Sequence, residues 1–244
     1  MGGPDARHLA VVRRAAPGDV VRVSDGRGRV VEGRLAAVSP ARVEVTIVDD
    51  HRLRPPSPPV EVYLGLAKNG KVDQVIRPLV ELGVDAVTVF SAGRSVARWD
   101  PARASAARLR WGVIAREAAK QSHRAWLPDV AGPLPSAGAA GASAAAGGGG
   151  RAGHGATPGG ATLGLIAHPG AARPIRQVLE GLEGAPGRVW LAVGPEGGLA
   201  PAEVSAFANA GGATVTLGSQ ILRAETAPIV LASLVLYQLG RFGG

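Results

Sequence analysis

The spacing of apolar positions changes once along the chain. Over residues 19–50, "DVVRVSDGRGRVVEGRLAAVSPARVEVTIVDD", short β-branched runs are interrupted by "SDGRG" and "SPAR". Both interruptions are hairpin signals, so a small antiparallel β-module is expected over residues 1–52. Residues 53–59 carry four prolines and read as a stiff linker. From residue 60 strands alternate with helices. "VEVYLGLA", "DAVTVF", "TLGLIAHP", "RVWLAVG" and "ATVTLG" have strand character. "KVDQVIRPLVELG", "PARASAARLRWGVIAREAAKQS", "PIRQVLEGL", "PAEVSAFANAG" and residues 226–239 have helical spacing. That alternation predicts an α/β domain with a parallel sheet over residues 60–244.

One stretch fits neither pattern. Residues 135–161, rich in glycine and alanine, offer almost nothing large to bury and are expected to form a flexible surface insertion. His154 lies inside it and is given no role.

Composition narrows the chemistry. The chain has 244 residues and no cysteine, which excludes disulfides, thiolate metal sites and cysteine nucleophiles. Five scattered histidines form no pair at metal-ligand spacing, so no metal is expected. The longest apolar stretch, "APIVLASLVLYQL", is too short to span a bilayer, and no signal peptide is evident. A soluble cytoplasmic protein without a membrane partner is expected. The formal net charge is +8, which points to a polyanionic partner. An arginine-rich GC-biased genome would raise the charge too, but residues 94–124 concentrate eight basic side chains against Asp100 and Glu117.

"GLAKNGK", residues 65–71, resembles a phosphate-binding loop, yet Val72 stands where a magnesium-holding hydroxyl is needed. An NTP site is therefore disfavoured, and Lys68 and Lys71 are expected to face solvent or a nucleic-acid phosphate. Three strand ends attract more interest: "IAHPG", "VGPEGG" and "LGSQILRAETA". Ligands of open α/β sheets bind beyond the carboxyl ends of strands, and glycine lets a ligand approach the backbone.

"GPEGGLAPAEV" followed by "VTLGSQILRAETA" closely resembles the end of the RsmE family, the 16S ribosomal RNA uridine-N3 methyltransferases. "RHLAVVRRAAPGD", "AKNGKVDQVIRPLVELGV", "SAGRSV" and "EAAKQSHRAWLPDV" extend the likeness over nearly the whole chain. The resemblance implies a SPOUT-type parallel sheet with a C-terminal trefoil knot, preceded by a PUA-like β-barrel domain. It also implies an S-adenosylmethionine cofactor, a small-subunit rRNA substrate and a homodimer. Two departures stand out: Ala200 occupies a position usually taken by a capping serine, and Gln220 one that is often basic.

By this resemblance His168, Pro169, Gly194, Pro195, Glu196, Gly197, Gly198, Leu217, Gly218, Ile221, Leu222, Arg223, Glu225, Thr226 and Ala227 surround the cofactor. Arg223 is the candidate for stabilising charge on the uracil, because it is a permanently charged rigid donor and a poor base. Glu196 and Glu225 are candidate bases or orienting groups, and a loop-fixing role for either stays open. His168 reads as loop-shaping. Arg7, Arg13, Arg14, Lys68, Arg94 and Arg124 are the candidate RNA contacts, extended by Arg98 and Arg116 near Trp99, Trp111 and Trp126. Core packing is the competing reading of Trp111. The alternative function is a non-catalytic ribosome-binding module of the same fold.

Overall fold

The computed structural model describes residues 1–67, 70–95, 99–148 and 160–242. They divide into two compact units, 1–55 with 124–126, and 56–123 with 127 onward.

The first unit begins with α1 (Gly3–Arg7) and a π-helical turn (His8–Val12), followed by β1 (Val20–Ser24), β2 (Arg29–Val38) and β3 (Val43–Arg52). The strands form an antiparallel sheet in chain order. "SDGRG" closes the first hairpin because Asp25 Oδ1 accepts from the backbone N–H groups of Arg27 at 2.6 Å and Arg29 at 3.1 Å. The Arg27 N–H chiefly holds the Asp25 carboxyl below its ordinary value. Where the resemblance implies a barrel, the described ladder has three strands. Isolated bridges, Gly2 to Arg42 and Arg27 to Trp126, extend it. Its core is small: Ala6, Leu35 and Val43 are buried, with Leu9, Val21 and Val45 around them. Residues 124–126 complete the unit. Ala125 O accepts from Gly28 N, and the Trp126 ring packs so closely on Gly28 that a Cβ there would lie 2.5 Å away.

The second unit contains β4 (Val60–Gly65), α2 (Lys71–Leu82), β5 (Ala86–Phe90), α3 (Pro101–Gln121), β6 (Asp129–Leu134) and α4 (Ala137–Ala145). It continues with β7 (Thr162–Ala167), α5 (Ile175–Glu180), β8 (Arg188–Val193), α6 (Pro201–Asn209), β9 (Gly212–Val215) and α7 (Ala227–Gln238). All six strands are parallel, in the order β6-β5-β4-β8-β7-β9. Both faces are covered, so β4, β5 and β8 are buried throughout and read as continuous apolar runs. Val60, Val62, Leu64, Val189, Leu191 and Val193 point into a core shared with α2, α3, α5 and α7. Tyr63, Phe90, Trp190 and Ala192 point to the opposite face, covered by α4 and α6.

Over residues 137–145 the helix α4 corrects the expectation of a flexible insertion, while residues 149–159 of that stretch lie outside the described residues. Ser136 caps it by accepting from Ala139 N, and Ala137, Ala140, Gly141 and Ala144 are buried. Alanine has the highest helix propensity, and its small side chain lets a helix settle close to a neighbour. A Cβ at Gly141 would lie 2.7 Å from Ala206 O in α6. Small residues were read as an inability to pack, whereas here they permit close packing. His154 lies outside the described residues. The linker expected at 53–59 is also partly absorbed, since Pro58 and Pro59 are buried. Pro58 O accepts from Arg241 Nη1, which with Nη2 also engages Asp85.

A buried ion pair fastens α4 to the amino end of the sheet. Glu61 Oε2 accepts from Arg188 Nη2 at 3.1 Å, Glu61 Oε1 accepts from Thr88 Oγ1 at 2.9 Å, and Arg188 Nη1 donates to Ala144 O at 2.7 Å. Nearby, burial, followed by the Glu61 charge, pushes the Tyr63 phenol well above its usual range. Arg188→Met removes the cation partner of the buried Glu61 carboxyl, so denaturant unfolding should show a loss of about 3–5 kcal/mol. Adding Glu61→Gln should recover much of that loss, because the uncompensated charge is gone.

Candidate active site

Strands β8, β7 and β9 are neighbours, and the loops leaving their carboxyl ends line one cavity of about 610 Å³. After β7, His168 N–H donates to Val215 O at 3.0 Å, and the Gly170 N–H donates to His168 Nδ1 at 3.1 Å. The imidazole therefore shapes its own loop around Pro169.

After β8, residues 195–198 form a tight turn closed by Gly198 N–H to Pro195 O at 2.8 Å. The four glycines expected to admit a ligand do so for different reasons. Gly198 (φ 69°) and Gly218 (φ 136°) adopt left-handed backbone with nothing within 4 Å of an added Cβ, so glycine there serves the backbone conformation and leaves open space. Gly194 and Gly197 face protein. A Cβ at Gly194 would lie 2.9 Å from Gly198 C, and one at Gly197 would lie 2.9 Å from Arg94 Cβ. Arg94 Nη1 also donates to Gly197 O at 3.2 Å. Close packing, within the turn at Gly194 and against Arg94 at Gly197, is what excludes a side chain at those two positions.

The turn is braced from two other directions. Gly65, the last residue of β4, leaves room for Pro195, whose Cδ would be 2.5 Å from a Cβ there. On the other side, Ala200 supplies no cap to α6. Glu203 compensates by accepting from Ala200 N at 2.7 Å through Oε2 and from Gly93 N at 2.7 Å through Oε1.

After β9, Leu217 packs on the main core and Leu222 is half-buried, while Ile221 is exposed. Arg223 O accepts from the N–H groups of Thr226 and Ala227, both at 2.9 Å, and so leads the chain into α7. The Arg223 side chain is 84% exposed, with Nη1 3.9 Å from Glu225 Oε1.

Sequence reasoning missed Lys71. Expected to face solvent or RNA, it instead lines the cavity as the first residue of α2. Its Nζ lies 3.2 Å from Glu196 Oε1 and 3.1 Å from Glu225 Oε2. Glu225 and then Glu196 raise the Lys71 pKa. The Glu225 carboxyl is held below its ordinary value of 4.5, first by its own backbone N–H and then by Lys71. The rejected phosphate-loop motif did contain a usable signal, because it put a lysine just beyond the carboxyl end of a parallel strand, where ligands bind.

The candidate RNA contacts are spread more widely. Arg7, Arg13 and Arg14 are exposed in the first unit, where Arg124 is half-buried. Arg94 belongs to the cavity wall, and Arg116 is exposed on α3. Lys68 and Arg98 lie outside the described residues. Trp111 is buried, as the packing reading has it, with Nε1 donating to Asp73 at 2.8 Å. Trp99 stacks on it at 5.5 Å, and the Arg103 guanidinium lies 5.1 Å over the Trp99 ring. Trp126 donates from Nε1 to Leu53 O within the first unit. Among the described residues no group of acidic or histidine side chains could hold a metal, and no helix is long and apolar enough to cross a membrane.

Residues 55–236 match the RNA methyltransferase domain family, and residues 2–48 match the RNA methyltransferase PUA domain. These matches set the class as RNA methyltransferase. The ribosomal RNA small subunit methyltransferase E of Mycobacterium bovis is 32% identical over 233 residues, covering 96% of this chain and 84% of the relative. Its Bacillus subtilis counterpart is 30% identical over 241 residues, covering 97% and 88%. A crystal structure of the Neisseria gonorrhoeae enzyme, bound to S-adenosylmethionine, superposes with a TM-score of 0.79 at 26% identity, covering 97% and 90%. The chain belongs to the ribosomal RNA small subunit methyltransferase E family.

The Lys71 cluster makes the site sensitive to acid. A carboxyl whose pKa is lowered on folding contributes stability above its unfolded value, and that contribution disappears as pH falls through the folded value. Wild-type protein should therefore lose more melting temperature than Glu225→Gln on acidification from about pH 5 to about pH 3, as read by calorimetry.

Proposed function

We propose that this chain transfers a methyl group from S-adenosylmethionine to N3 of a uridine in 16S ribosomal RNA, acting in the cytoplasm as a homodimer. The observation that carries the reading is the glycine-floored cavity beyond three adjacent parallel strands, in a chain of this family. Bound there, S-adenosylmethionine supplies an electrophilic methyl on a sulfonium. The open backbone at Gly198 and Gly218 suits close approach by such a ligand, and Leu217 and Leu222 add apolar wall. The return of the chain from β9 at the sheet edge to α7, which packs on the main core, fits the knotted C-terminus that the family resemblance implies.

The chain's own residues then act on the RNA. Uracil N3 carries a proton, and its loss spreads negative charge onto two carbonyl oxygens. Arg223, exposed on the cavity wall, would stabilise that charge. Arg7, Arg13 and Arg14 hold phosphate, a task that positions RNA without reading its sequence. The dimer reading rests on α7. Leu231, Ala232, Val235 and Leu236 are buried within the protomer, whereas Leu234 and Tyr237 are exposed on an almost wholly apolar helix.

Incubating the enzyme with labelled cofactor and small-subunit RNA from cells lacking it, then identifying the nucleoside by mass spectrometry, tests the reaction. The product should be N3-methyluridine, and methylation elsewhere would overturn the assignment. Arg223→Ala should keep cofactor affinity and lose about a hundred- to a thousand-fold in rate. Light scattering should find twice the 24.6 kDa chain mass, and Tyr237→Glu should shift it toward the monomer.

A further inference from the structure

Lys71 and Glu196 line the cavity, and with Glu225, which does not, they form an ion cluster drawn from three distant stretches of chain. Lys71 opens α2, Glu196 lies in the turn after β8, and Glu225 lies in the loop before α7. One ammonium reaches both carboxylates, at 3.2 and 3.1 Å, and all three side chains are partly shielded, with 31%, 35% and 22% of their surface exposed. Arg223 approaches the other oxygen of Glu225 at 3.9 Å, so two cations face two carboxylates. Arg94 and His168 are the remaining ionisable side chains on the wall. Arg94 is committed to Gly197 O, and His168 to the Gly170 N–H.

This arrangement suits bracing better than proton transfer. A general base must be free to take up a proton near the working pH. Glu225 is held in its ionised form by its own N–H and by Lys71, so it binds a proton poorly. Glu196 has its Oε1 on the same ammonium. Meanwhile the turn at 195–198 and the loop at 217–226 are the two segments that bring open glycine backbone to the cavity, at Gly198 and Gly218. Each carries one of the two carboxylates. The distance between these loops is thus set through Lys71, which is fixed in turn by α2, whose Val72, Val75 and Ile76 are buried in the main core.

Resting on the cofactor assignment above, we propose that Lys71 is a positioning residue of the methyl-transfer site: it ties Glu196 and Glu225 together, spaces the two cofactor loops, and keeps Glu225 out of proton transfer. In the reaction the N3–C bond forms as the S–C bond breaks, sulfur keeps that electron pair, and the N3 proton passes to solvent water.

Lys71→Met, Lys71→Arg and Glu225→Gln, each checked by its melting curve, provide the test. Calorimetry gives the dissociation constant for S-adenosylmethionine, and RNA methylation gives kcat and KM. Lys71→Met should weaken cofactor binding and lower kcat/KM by about a hundredfold, the scale expected when reacting groups are slightly misplaced. Lys71→Arg should restore most of both, since a second cation can still span two carboxylates. Glu225→Gln should weaken cofactor binding and lower kcat at saturating cofactor by about tenfold, short of the loss of about a hundredfold or more expected when a base is removed. Hydrogen exchange should show faster exchange in residues 194–198 and 218–226 of Lys71→Met, a readout that holds even where its activity is too low to measure.

A Lys71→Met enzyme with unchanged affinity, kcat/KM and exchange would overturn the proposal. So would a Glu225→Gln enzyme that binds cofactor normally but has lost turnover at saturation, which would make Glu225 a base. Wild-type protein that binds no S-adenosylmethionine would instead remove the cofactor reading on which the proposal rests.

Discussion

The central constraint is the position of β8. It is buried along its whole length, with β4 on one side and β7 on the other, all parallel. A parallel strand needs a covered crossover on each side, so the chain leaving β8 has to turn sharply toward α6. That turn is held between the ends of adjacent elements. Gly65 at the end of β4 accommodates Pro195, and Arg94 beyond β5 presses on Gly197. Because β7 and β9 follow β8 in the sheet, their exit loops open onto the same rim. The cavity is what remains between three loops whose places the strand order dictates.

The two ends of the sheet use charge differently. At the amino end, Glu61 and Arg188 are nearly sealed from solvent, with side-chain exposures of 2% and 10%, and their remaining hydrogen bonds go to Thr88 and the α4 terminus. Such a pair strongly resists loss of either partner, which suits an attachment point. At the carboxyl end, the Lys71 cluster is partly hydrated, and a pair in that setting has less influence on stability. Its significance is geometric, because it joins segments that the sheet alone does not connect. The sealed pair sits away from the cavity, and the partly exposed cluster borders it.

Much of this was legible from residue order. Strand–helix alternation identified the parallel domain, "SDGRG" marked the hairpin of the first unit, and the glycine-bearing strand ends pointed to the rim where the cavity lies. The motifs "GPEGG" and "LGSQILRAETA", with others along the chain, pointed to the family by resemblance. The insertion was misread for a definable reason. Alanine and glycine give weak hydrophobic signals along a sequence, yet their small volume is what lets α4 lie against Ala206.

By itself, then, the sequence determined periodicity, turn chemistry and local backbone demands, since these depend on residues within a few positions of one another. Gly198 and Gly218 belong to that class, their left-handed backbone being a local property. Tertiary structure decided what depends on distant residues. It decided that Gly197 must spare room for Arg94, that Glu61 finds Arg188 across 127 positions, and that Lys71 lies between Glu196 and Glu225. No local pattern encodes those pairings, because the partners become neighbours only after the parallel strands have set the spacing of the loops that carry them.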